Sequence, residues 1–180
     1  RALGCDVNPL AAVVSRVKTR CLDLQALDAA ALRVVRRFDD DPAADWRERA
    51  PDVPNREHFY PDDVARDLVR LLAAARGEED PRLREYFEVL TSAINRDVSN
   101  ADTRHVFPGV SALMRQRIDA GWKADVRARF CRALRDRLAA TRSFHAQAAG
   151  APEPLVALAS AEELPAAPGT AALAVTNPPY

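Results

Sequence analysis

A chain of 180 residues is long enough to bury a core, and its 26 basic residues balance 26 acidic ones, so the net charge is zero. That balance excludes an overall field able to steer a polyanion, although no Lys or Arg follows Arg142, which leaves residues 1–142 with a surplus of three positive charges. In chain order, residues 2–7 read as a short apolar strand that ends on Asp6, after which Asn8 and Pro9 open a helix through Leu10, Val13, Val14 and Val17. A second helix from about Asp23 carries Leu24, Leu27, Ala31, Leu32 and Val35 on one face. Residues 39–61, with four prolines among Trp46, Phe59 and Tyr60, read as an irregular wrap containing one helical turn near residues 43–49. Asp62 and Asp63 start a helix that stops at Gly77, and another runs from Pro81 to Val98 with Leu83, Phe87, Leu90 and Ile94 in phase. After a polar loop containing Arg104 and His105, a shorter helix stops at Gly121. A long one then runs from Trp122 to about Ala148, with Val126, Phe130, Leu134 and Leu138 as its stripe. Residues 155–159, and residues 172–176 up to the closing Thr176, are apolar rather than alternating and read as buried parallel strands.

Cys5, Cys21 and Cys131 form no CxxC pair and no ligand set with His58, His105 and His145, so no metal is expected and a reducing compartment, the cytoplasm, is. No apolar run has the length of a membrane span, and no signal-peptide pattern is visible. The sequence opens in mid-pattern and stops directly after Tyr180, so an internal stretch of a longer protein is expected. Of the basic residues 24 are arginine, which suits bidentate phosphate contacts and equally a GC-rich codon usage.

Two motifs carry chemistry. Asp6, at the end of a parallel strand, can accept both hydroxyls of a ribose through its two carboxylate oxygens; the plainer alternative is a helix cap or turn residue. Asn177-Pro178-Pro179-Tyr180 follows an apolar strand. An exocyclic amino group is a poor nucleophile because its lone pair is delocalised into the ring. The Asn177 side-chain oxygen and the Pro178 carbonyl can accept its two N–H bonds and turn the lone pair outward, while Tyr180 offers a face for a base taken out of the duplex. Such catalysis is positioning and electrostatics, without metal or covalent intermediate. The alternatives for the tetrapeptide are a proline-rich turn or a PPxY-like ligand.

With both motifs in view, the chain resembles the bacterial N6-adenine/N4-cytosine DNA methyltransferase family of class I. The run Gly4-Cys5-Asp6-Val7-Asn8-Pro9-Leu10-Ala11 is similar to the family's G-x-D-x-N-P-L-A, with weaker matches at Phe59-Tyr60-Pro61, Phe87-Glu88-Val89-Leu90 and Val98-Ser99-Asn100. The resemblance implies an α/β fold, a partial Rossmann-like sheet with a large mostly helical insertion. Residues 1–22 would form part of the cofactor unit, 23–150 the insertion, and 151–180 the strands leading to the catalytic tetrapeptide. It implies S-adenosyl-L-methionine as cofactor, with Asp6, Val7 and Asn8 at its ribose and Ser160 and Ala161 at its adenine. Asn177, Pro178, Pro179 and Tyr180 would be catalytic, on double-stranded DNA with a flipped adenine, in a restriction-modification or epigenetic setting with a restriction endonuclease as partner. Asn at the first position of the tetrapeptide favours adenine over cytosine.

The sequence departs from the family at Ser160, where an acidic residue is common, and at Ala172, where Asp is. The family's glycine-rich cofactor loop would precede Arg1, so these 180 residues alone are expected to be inactive. An RNA adenine or a protein glutamine methyltransferase uses the same tetrapeptide, but the long separation between motifs points to DNA; a helical interaction module with methyltransferase remnants is the rival from another class. Arg104 and His105 are the loop candidates for touching DNA. Arg127, Arg129, Arg132, Arg135, Arg137 and Arg142 on the last helix read either as a phosphate-tracking face or as a solvated face with local pairs to Asp125 and Asp136.

Overall fold

The computed structural model describes residues 2–104 and 109–176. Its element order is β1 (Leu3–Asp6), α1 (Pro9–Thr19), α2 (Leu24–Asp40), α3 (Trp46–Arg49), α4 (Arg56–Phe59), α5 (Asp62–Arg76), α6 (Pro81–Val98), α7 (Ala112–Asp119), α8 (Val126–Gln147) and β2 (Leu155–Leu158). Side-chain caps set most helix starts. Asn8, Asp23, Asp80, Ser111 and Asp125 each accept from backbone N–H groups in the first turn that follows. Helix α5 has no side-chain cap, but Asp62 and Asp63 lie in its first turn, where the helix dipole favours negative charge. The start of α8 is therefore Val126 rather than Trp122, because the Asp125 carboxylate takes the Ala128 N–H at 2.8 Å.

The chain divides into two compact units, one made of the residues up to Arg20 together with those from Ala151 onward, the other of Cys21–Gly150. In the helical unit, α2, α5, α6 and α8 enclose the core. Leu27, Ala30, Ala31, Val34 and Phe38 come from α2, and Val64, Ala65, Val69, Leu71, Ala74 and Ala75 from α5. Helix α6 adds Leu83, Phe87, Leu90, Ile94 and Val98, and α8 adds Val126, Phe130 and Leu134. Leu32, expected on the α2 stripe, is 75% exposed. It stands five positions after Leu27, about 140° around the helix and off the buried face. The irregular stretch before α5 docks through Trp46 and Ala43, which pack on Ala65 and Val69.

Ion pairs join distant parts of this unit. The Glu78 carboxylate, 2% exposed at the turn between α5 and α6, accepts from Arg33 Nη2 at 2.6 Å and Arg37 Nη1 at 2.5 Å, both on α2. Its backbone carbonyl accepts from Arg84 Nε. The ends of the unit also meet, because the Leu22 N–H donates to His145 Nε2 at 3.0 Å and Arg82 donates to the Cys21 carbonyl.

In the other unit, β1 and β2 pair in parallel with Asp6 opposite Leu158, and α1 packs on both. Ala12 is its one buried residue among those described. The fold is thus mostly helical, at 58%, and the expectation of an α/β Rossmann-like sheet is corrected: two short strands form, and they are not covered on both faces. Residues 172–176 form no strand, and Leu173 and Val175 are 81% and 88% exposed. An apolar run alone does not make a strand, since backbone pairing must be supplied by a neighbour and Ala172 and Ala174 add little β preference.

Candidate functional site

The residues expected at the cofactor converge on one edge, the C-terminal end of the paired strands. Asp6 closes β1, and its Oδ1 accepts the Asn8 N–H at 2.8 Å, a local turn that holds the carboxylate beside the start of α1. Asn8 in turn accepts from the N–H groups of Leu10 at 2.9 Å and Ala11 at 3.4 Å. On the neighbouring strand the Ala159 N–H donates to the Asp6 carbonyl at 3.1 Å. The next residue, Ser160, begins a turn: its Oγ accepts from Glu162 N–H and its carbonyl from Glu163 N–H. Asp6, Val7 and Asn8 therefore share an edge with Ser160 and Ala161, although 151 positions separate Val7 from Leu158.

What this edge can hold follows from its free groups. Asp6 is exposed, and the one hydrogen bond of its carboxylate among the described residues is at Oδ1, which leaves Oδ2 to accept from a hydroxyl. Val7, exposed beside it, offers an apolar surface. Two of the first amides of α1 are taken by Asn8, so the helix start is no cradle for a phosphate, and the Asp6 charge would repel one. The geometry suits a neutral polyhydroxylated group. Among the described residues no group of three or more His, Cys, Asp or Glu side chains could hold a metal ion, and no helix is long and apolar enough to cross a membrane.

The chain matches no protein-family profile, no curated protein and no solved structure.

Asn177, Pro178, Pro179, Tyr180 and His105 lie outside the described residues. Arg104 belongs to the helical unit, and its guanidinium is engaged: Nε and Nη2 grip buried Asp102 at 2.9 and 2.6 Å, and the Arg104 backbone N–H adds a third bond. These contacts, with a further one from Ser111, hold the Asp102 carboxyl far below the usual carboxylate range. Arg104 is first a brace for its own loop.

The arginines of α8 are likewise committed. Arg127 forms a two-point pair with Asp39, Arg142 reaches both oxygens of Asp28, and Arg129 pairs with Asp97. Asp125 caps the helix instead of pairing locally. Half of the six arginines of α8 thus tie the helix to α2 and α6, and Arg135 lies 3.8 Å from Asp136, the local pair expected of a solvated face. Sequence reading passed over Glu78 and Asp102, whose charges are satisfied by partners that only the fold or a tight loop brings near.

Proposed function

We propose that the chain supplies the ribose-holding and amino-group-holding parts of an S-adenosyl-L-methionine-dependent methyltransferase that modifies the N6 amino group of adenine in DNA. The observation that carries the reading is Asp6 at the end of a parallel strand, with Oδ1 fixed by the Asn8 amide, Oδ2 left over, and Ser160 at the end of the paired strand. In that arrangement the Asp6 carboxylate accepts from a ribose hydroxyl, Val7 lines the sugar, and Ser160 and Ala161 border the cofactor's adenine. The cofactor supplies the activated methyl group. Asn177 and Pro178 accept the amino N–H bonds of the substrate base, and Tyr180 stacks on it, so the protein's part in the transfer is to orient.

Two measurements test this. Tritium transfer from labelled cofactor, offered duplex DNA, RNA and a glutamine-bearing protein in parallel with the full-length protein, should label DNA adenine; label in RNA or protein alone would replace the substrate, and none at all would remove the activity. Asp6→Ala should weaken cofactor binding about tenfold to a hundredfold by calorimetry, the worth of a hydrogen bond to a charged group, without moving the unfolding midpoint of the helical unit.

A further inference from the structure

The helical unit contains a cleft of about 240 Å³ between the C-terminal end of α6 and the α7–α8 link. Two carboxylates border it, and each is already answered: Asp102 by Arg104 and Asp97 by Arg129. Arg117 is left as the surplus cation. It is exposed, forms no ion pair among the described residues, and its guanidinium lies over the Trp122 ring, 5.3 Å from the centroid. The Trp122 N–H donates to the Arg117 carbonyl at 2.9 Å, so ring and cation are held together by backbone as well as by stacking. Leu113, exposed, and Met114 complete an apolar wall.

A half-buried indole partly covered by the Arg117 guanidinium, an apolar wall, and an arginine with no ion pair among the described residues are groups that an unstacked nucleotide can use. The base lies on a flat sequence-tolerant surface, and the phosphate meets the arginine. A peptide carboxylate would also find Arg117, but it would make no use of the planar surface. We infer that this cleft binds a single unstacked nucleotide of a nucleic-acid strand, its base against Trp122 and Leu113 and its phosphate on Arg117. The inference rests on the nucleic-acid reading above, yet it concerns different residues in a different unit.

The test uses the full chain and Trp122 as its own probe, since Trp46, the other tryptophan, is buried. Titration with a short single-stranded DNA should quench the fluorescence saturably. Arg117→Ala should weaken that binding about tenfold and lower the salt slope by roughly 0.7. Trp122→Ala, followed by anisotropy of a labelled strand, should lose about fivefold to a hundredfold, whereas Trp122→Phe retains most of it. Arg132→Ala removes an equal charge from α8 and should leave affinity within about twofold. Absence of quenching by single strands, or an Arg117→Ala loss no larger than that of Arg132→Ala, overturns the proposal. Mononucleotides and single-stranded RNA run beside the DNA separate a free nucleotide from a polymer as the source. Loss of methyl transfer with quenching intact would remove the proposed function and leave this site standing.

Discussion

The two units stabilise themselves by different means. The helical unit buries an apolar face from each of four long helices and ties them with arginine–carboxylate pairs; Glu78, between Arg33 and Arg37, is the deepest of these carboxylates. The strand unit has one buried residue among those described, and the side-chain hydrogen bonds of Asp6 Oδ1 and Asn8 Oδ1 come from amides two or three positions away. Stability and the candidate cofactor edge are therefore carried by separate residues. A substitution at the edge can change binding while leaving most of the folding free energy untouched, and a core substitution acts the other way.

The largest effect should come from Phe87→Ala, which empties the centre of the helical core and should cost about 4 kcal/mol in urea unfolding followed by circular dichroism. A loss below about 1 kcal/mol would mean that the unit is not organised around α6. Glu78→Gln should cost about 3 kcal/mol, the lower end for a broken buried pair because Arg33 and Arg37 remain half exposed. Adding salt should not recover it, and a variant as stable as the parent would show that the triad is replaceable.

Asn8→Ala sharpens the contrast from the other side. Losing this cap should cost about 1 kcal/mol locally, raising hydrogen exchange at the Leu10 and Ala11 amides roughly fivefold with no shift in the helical unit's midpoint. A coupled shift would deny that the units keep separate accounts of stability. The smallest effect lies in the acid limb. Asp102, Asp39 and Asp41 have folded pKa values lowered by their partners Arg104, Arg127 and Arg49. Their contribution is full above the ordinary carboxylate value near 4, and it is lost as pH falls through the folded values. Asp102→Asn should therefore be less stable than the parent at neutral pH and show a shallower decline below about pH 4; parallel acid limbs would remove the Asp102–Arg104 pair from the balance.

The helices were legible in the sequence because their apolar positions repeat at helical spacing and their caps are short polar residues: Leu83, Phe87, Leu90 and Ile94 are all buried, and Asp80 caps the helix that bears them. The sheet was overread. Residues 155–159 contain β2, whereas residues 172–176, a similar run of Ala, Leu and Val ending on Thr176, form no strand, since nothing in an apolar run says whether an edge awaits it. Burial also misled at Leu32, where apolarity was mistaken for phase. At the candidate site, the local turn around Asp6 and Asn8 was readable from adjacent residues. The fates of Arg127, Arg129 and Arg142 were not, because Asp39, Asp97 and Asp28 come from other helices and no spacing rule announces them, whereas Asp102, the partner of Arg104, stands two positions away in the same loop.

The bond from Leu22 to His145 bears on how such a chain can change over time. It brings the entry and exit of the helical unit within one hydrogen bond of each other, 123 positions apart in sequence. A segment that leaves the main path and returns to nearly the same point behaves as a cassette: its contents can lengthen, shorten or be exchanged while the flanking strands keep their register. The Leu155-to-Ala2 and Ala159-to-Asp6 backbone bonds that set that register involve no residue of the cassette. Grafting a different helical segment between Arg20 and Ala151 would thus vary what the protein grips without rebuilding the turn that presents Asp6.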